Sequence, residues 1–304
     1  MARKNTRRKK KSRFSGFKKW FALFIVFLLL LFTGYGYINS RIVHVSYAEV
    51  YIDNLSSFLD GTTILFASDF KFSDSKGASR SAKLLHKLSR LKPDILILGG
   101  DYTGMSLGDI FKVQAEEGKN EIISRLKQAR MTFFSEISSL YFPGGKFAVT
   151  GDGDIDVPDL LSDCRLGGVT LIDGGIETAA VNGFPLMIAS DTSPSRDLRN
   201  LTSSETVIVL AHNPDRYRSA ASVTDSYGNA IADLVISGHT LGGQINLFGK
   251  GVMSFFGGYS GEFLSGKYNP VGPHLLVSEG VGCDWIPLRF GSRPEVFMIT
   301  LKRK

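Results

Sequence analysis

Five residues stand just after short apolar runs, in the pairs Ser68-Asp69, Gly100-Asp101, Gly151-Asp152, Ala211-His212 and Gly238-His239. Carboxylate oxygens and imidazole nitrogens together suit a hard-to-borderline divalent ion such as Mn²⁺, Fe²⁺ or Zn²⁺. Any one of these pairs is ordinary turn chemistry. An ordered series of three carboxylates and two imidazoles is much harder to explain as turns. In α/β sheets the ligand site lies outside the carboxyl ends of the strands. If the runs are strands, the five side chains converge on one cleft.

The runs themselves support that reading. Residues 63–67, 94–98, 146–149, 169–172, 185–189, 206–210 and 233–236 are nearly continuous in apolar side chains, the pattern of strands covered on both faces. Between some of them the period changes. Residues 78–91 place Leu84, Leu85, Leu88 and Leu91 on one helical face, and residues 119–139 do the same with Ile122, Ile123, Leu126 and Phe133. Strand and helix in alternation give an α/β domain. From about residue 169 strands dominate, which favours mixed over purely parallel sheets.

The 304-residue chain carries a formal charge of +7, an invitation to think of nucleic acid. The charge is not spread evenly. Residues 1–19 hold ten Lys or Arg and no acid, and removing those ten from 36 basic residues leaves 26 against 29 acidic, a net of −3. A polyanion-binding domain needs its own basic face, and this composition offers no reason to expect one. The basic run leads into an uncharged apolar stretch, residues 20–37. At 1.5 Å per residue its roughly 18 residues approach the length needed to cross a bilayer core. The Thr33-Gly34-Tyr35-Gly36-Tyr37 segment is a poor cleavage site, so an uncleaved signal anchor fits better than a removed leader. The positive-inside rule keeps residues 1–19 in the cytoplasm and sends the rest outside. The expected organisation is a basic tail (1–19), an anchor (20–37), a connector (38–59) and one domain (60–304). Cys164 and Cys283 show no ligand spacing. They read as buried free thiols, with a single disulfide open to them in an oxidising compartment. His44, His86 and His274 lie outside the series and read as packing or surface residues.

At the clustered residues the sequence resembles the calcineurin-like metallophosphoesterases, in their membrane-anchored bacterial phosphodiesterase branch. The family pattern is Asp-x-His, Gly-Asp, Gly-Asn-His-Asp/Glu, a lone His, and Gly-His-x-His. The matching stretches here are Asp69-Phe70-Lys71, Gly100-Asp101, Gly151-Asp152-Gly153-Asp154, His212 and Gly238-His239-Thr240-Leu241. The C-terminal segment with Gly280-Val281-Gly282 and Ile286-Pro287-Leu288-Arg289-Phe290 is also similar to that branch. The resemblance spans about residues 60–302. It implies a four-layer sandwich, two mixed sheets between helices.

The resemblance also implies a site, carried over position by position. One metal would keep Asp101, Asp152, His212 and His239, with Asp152 in place of a neutral Asn. The other would keep only Asp69 and Asp101, because Lys71 and Leu241 replace its two histidines. Gly153 stands where a histidine assists the leaving group. An ammonium cannot ligate while protonated, but it can supply a metal's positive charge. The implied cofactor is therefore one divalent transition metal (Mn, Fe or Zn) or none. Lys71 and Asp69 would be the remaining catalytic candidates, Lys71 as a phosphate contact. Three readings stay open: a one-metal phosphoric ester hydrolase of reduced activity, a pseudoenzyme binding a phosphorylated lipid or nucleotide headgroup, and an anchor protein with an empty cleft.

Overall fold

The computed structural model describes residues 13–193, 195–202, 204–247, 250–251 and 258–304. A long helix α1 (Arg13–Asn39) leads into β1 (His44–Ile52), β2 (Thr63–Ala67), α2 (Ser75–Leu88), β3 (Ile95–Leu98), α3 (Leu107–Lys112) and α4 (Glu116–Ile137). The chain continues through β4 (Lys146–Ala148), α5 (Leu160–Leu166), β5 (Thr170–Leu171), β6 (Ile176–Val181), β7 (Phe184–Ser190), α6 (Ser195–Leu198) and β8 (Val207–Leu210). It closes with α7 (Tyr217–Ala221), β9 (Leu234–Ser237), the short pair β10 (Asn246–Leu247) and β11 (Lys250–Gly251), β12 (Gly266–Tyr268), β13 (His274–Val277) and β14 (Glu295–Arg303).

Two six-stranded sheets form, ordered β1-β14-β2-β3-β4-β5 and β12-β13-β9-β8-β7-β6. Both are mixed. In the first only the β14–β2 pairing is antiparallel, and in the second β12–β13 and β6–β7 are. Alternation along each central strand feeds two layers at once. Ile64 and Phe66 of β2, with Ile208 and Leu210 of β8, enter the core between the sheets. Leu65 and Ala67 instead pack on Leu85 of α2 and Phe133 of α4, and Val207 and Val209 on Tyr217 and Ala220 of α7. The layers therefore run helix, sheet, sheet, helix, as the family resemblance implies.

Each of the seven apolar runs contains a strand, and both helical patterns fall mostly in helices, α2 and α4, although residues 89–91 form a 3-10 turn in which Leu91 is exposed rather than on the packed face. The connector stretch 38–59 holds more than a connection. Its β1 pairs residue for residue with β14, from His44↔Glu295 to Ile52↔Arg303, and closes the first sheet's edge. Both cysteines are free thiols; Cys164 is buried, and Cys283 is only half-buried rather than enclosed.

Candidate metal centre

The sharp turns that follow the strands build the site. Of the ten non-glycine residues with positive φ among those described, seven lie here: Asp69, Lys71, Asp101, His239, Leu241, Gln244 and Trp285. Such conformations cost about 1–3 kcal/mol each and persist where the surroundings over-determine them, typically at functional sites. Close approach explains two neighbouring glycines. A Cβ at Gly238 would stand 2.4 Å from Asp69 Oδ2, and one at Gly280 (φ 67°) 2.6 Å from Asp69 Cβ.

The turns bring the predicted residues together. Ligand atoms of Asp101, His212 and His239 lie within 4.8 Å of one another. His212 Nε2 is 3.3 Å from Asp101 Oδ2, and His239 Nδ1 is 3.4 Å from both His212 Nε2 and Asp152 Oδ2. Asp152 sits at the mouth, 66% exposed. His212 Nδ1 lies 2.7 Å from the carbonyl of Gly99, which accepts its hydrogen bond. That bond selects the tautomer whose Nε2 lone pair faces the cleft, the usual outer support of a metal-binding imidazole. Asp69 takes a different part: its Oδ2 accepts the His239 backbone N–H at 2.9 Å, while its buried Oδ1 has no hydrogen-bond partner among the described residues.

Lys71 occupies the other half of the cleft. Its Nζ lies 2.5 Å from Asp101 Oδ2 and 3.2 Å from Asp284 Oδ1, with only 11% of the side chain exposed. Burial opposes its charge, but Asp101, Asp284 and Asp69 together hold it firmly protonated. Burial likewise opposes ionisation of Asp101, yet His212 and Lys71 keep its carboxyl well below the usual carboxylate range. Burial raises Asp69, whose neighbour Asp101 adds to the rise. His212 is pushed up to about 10, its burial outweighed by Asp101 and Asp69.

The donor set therefore fits a divalent ion. Two imidazoles and Asp101 converge, with Asp152 beside them, and ion binding would displace the proton that Asp101 stabilises on His212. On the Lys71 side an ammonium already balances Asp101, and buried Leu241 offers no ligand atom.

Two participants went unassigned in the sequence. Asp284, the second partner of Lys71, stands in a C-terminal loop where only proximity in space reveals it. Asp154 closes the Gly151-Asp152-Gly153-Asp154 stretch, and its buried carboxylate accepts the backbone N–H groups of Asp101 (2.7 Å), Gly151 (3.0 Å) and Tyr102 (3.1 Å). It thereby ties two site loops together. His86 and His274 bond backbone or neighbouring side-chain atoms away from the cleft.

The chain is similar to named proteins over most of its length. The chain is 26% identical over 298 residues to an uncharacterized metallophosphoesterase of Aquifex aeolicus, covering 92% of this chain and 99% of that one. It is also 26% identical to YkuE of Bacillus subtilis, described as an uncharacterized metallophosphoesterase, with 97% and 99% covered. These matches support the calcineurin-like metallophosphoesterase superfamily. A more distant relative from Danio rerio, 23% identical with 88% of this chain and 60% of its own length covered, is named a transmembrane protein with a metallophosphoesterase domain. No family model matches the chain.

The cleft opens into a cavity of about 540 Å³. One side is polar, with Lys71, Asp101, Asp152 and His239; the other is a wall of Ile122, Ile123, Leu126 and Val157.

Proposed function

We propose that this protein is a membrane-anchored metallophosphoesterase-like protein that holds one divalent transition metal and binds a phosphoester, with strongly reduced hydrolysis. Asp101, Asp152, His212 and His239 are its ligands. The observation that carries this reading is the Lys71 ammonium, buried 2.5 Å from Asp101, where a second ion would need the same carboxylate. A bound ion would supply Lewis acidity and activate water. The protein's own residues do the rest. Lys71 keeps a fixed positive charge beside the phosphoryl position, Asp284 and Asp101 hold that charge in place, and Gly99 orients His212. Gly153 provides a backbone N–H to Asp101 Oδ1 at 2.7 Å but no proton donor for a leaving group. Lacking a general acid typically forgoes about 10²–10⁴ in rate, so only esters with good leaving groups should turn over.

The apolar wall favours a phosphorylated lipid over a nucleotide as the ligand, since an acyl chain would cover Ile122, Ile123 and Leu126 while its phosphate faces Lys71. The anchor reading rests on Phe17–Asn39, whose most apolar 18-residue stretch has mean hydropathy 2.3 and is nearly all unburied in the fold. With it go the tail and the outward-facing domain.

The test is elemental analysis of the purified full chain together with hydrolysis of bis(p-nitrophenyl) phosphate in Mn²⁺. One equivalent of metal and slow turnover are expected, with His212→Ala losing the metal and Cys164→Ser keeping it. Two tightly held ions would refute the reading.

A further inference from the structure

The composition of the chain offers no basic face on the domain, yet the fold builds one. Lys76, Arg80, Lys83 and Lys87 of α2, and Arg90 in the turn after it, recur at steps of four and three residues. That spacing puts them on one helical face. All five are exposed, α2 itself contains no Asp or Glu, and none of the five forms an ion pair among the described residues. At 1.5 Å per residue the stripe is about 20 Å long.

Beside the stripe runs a groove of about 570 Å³ that borders the metal cavity at Lys71, Met105 and Trp285. Its floor is apolar, including Phe72, Leu84, Val281 and Ile286, and its rim carries Arg41, Arg80, Lys83 and Lys87. The acidic residue in its lining, Asp74, accepts the Gly77 N–H that starts α2. Ser40 and Arg41, the first residues beyond α1, also line it. The groove thus adjoins the end of the apolar helix.

We propose that this groove and the α2 stripe bind an anionic phospholipid of the bilayer that holds α1. The phosphate sits among Arg41, Arg80, Lys83 and Lys87, and the first part of an acyl chain lies on the apolar floor. Charge complementarity and the position of the groove at the end of α1 select this occupant. The proposal rests on the membrane-anchor reading, and it gives the chain cationic segments on both sides of α1. The tail of residues 1–19 meets one leaflet and the stripe meets the other.

Trp285 lines the groove, and the chain has only one other tryptophan, Trp20. The full chain carrying W20F is reconstituted in phosphatidylcholine nanodiscs doped with phosphatidylglycerol or phosphatidylcholine brominated near the glycerol end of the acyl chain. At equal doping, brominated phosphatidylglycerol should quench Trp285 about threefold more or better, an excess that falls as salt screens the charges. The variant R80E/K83E/K87E, checked for folding by circular dichroism, should abolish the excess. Millimolar inorganic phosphate should not compete. A chain that stays out of the nanodiscs overturns both the anchor and the lipid site. Equal quenching by the two lipids in a chain that does enter, or an excess that survives the triple variant, overturns the lipid site alone. So does competition by a single-stranded oligonucleotide with no response to lipid, which would assign the stripe to nucleic acid.

Discussion

Lys71 is the residue on which the chemistry turns. It bridges Asp101 and Asp284, and Asp69 adds to the negative charge around it. Removing one partner of a buried, paired cluster leaves uncompensated charge, which typically costs about 3–5 kcal/mol. Lys71→Ala should therefore lower the unfolding free energy measured in urea by that much in metal-free buffer, whereas Lys71→Ala combined with Asp101→Asn should cost clearly less than the two single changes added. Additive losses would mean that the pair is not coupled. The same residue bears on the reduced activity proposed above. Lys71→His, Leu241→His and Gly153→His singly should leave bis(p-nitrophenyl) phosphate turnover nearly unchanged, while the triple variant should gain a second metal and roughly 10²-fold or more in rate. The Gly153 step is the tightest, because its Cβ would lie 3.2 Å from Asp101 Oδ1. A parent as fast as the triple variant would show that one metal with Lys71 already suffices.

The elements show why some of this was legible and some was not. Central strands such as β3 and β8 are buried along their whole length, so their apolar runs announce them, and the residues just after them announce the cleft. Strand β1 alternates exposed and buried positions at a sheet edge and pairs with residues some 250 positions away. No local pattern records that partner. The cations of α2 were hidden differently: a sum over the chain averages a stripe that helical spacing concentrates. Asp284 lay in a loop whose function depends on contact alone. One buried carboxylate at a strand entrance makes a test at this scale. Asp233, just before β9, accepts the Val207 N–H at 2.9 Å, and burial pushes its carboxyl up to about 6. A folded-state value above the unfolded one means the protonated form is favoured on folding, so this group's contribution is best below about pH 4 and is lost as pH rises through about 6. Asp233→Asn keeps an acceptor for Val207 and removes the charge. It should flatten stability between about pH 4 and 6 and add up to about 2–3 kcal/mol above pH 6, read from urea midpoints across pH. An unchanged slope would place the charge cost elsewhere.

At the scale of the whole molecule, α1 is not a tether hung on a separate domain. Phe32 stacks on Phe290 with ring centroids 3.8 Å apart, and the Arg289 N–H donates to Gly36 O at 3.1 Å. Asn39 Nδ2 donates to the carbonyls of Arg289 and Ser292, and Ser40 Oγ to that of Pro287. The loop so gripped carries the fully buried Arg289, whose guanidinium bonds the carbonyls of Leu241, Glu279, Gly280 and Gly282. Those residues flank His239 and Asp69. The end of α1 thus reaches the cleft through one side chain, and the cleft is held at a fixed place relative to the apolar helix. Gly36 is the point of closest approach, since a Cβ there would come within 2.3 Å of the Phe290 ring. Gly36→Leu should force that ring aside, at a typical overpacking cost of about 1–3 kcal/mol, and should weaken metal binding measured by chelator competition even though no ligand is touched. A soluble fragment beginning at residue 44 should show the same weakening, and one beginning at residue 32 should recover much of it, since it restores the Phe32 stack and the Asn39 and Ser40 bonds. If the fragment from residue 44 binds metal as tightly as the full chain, α1 has no part in shaping the cleft and Arg289 keeps the loop in place unaided.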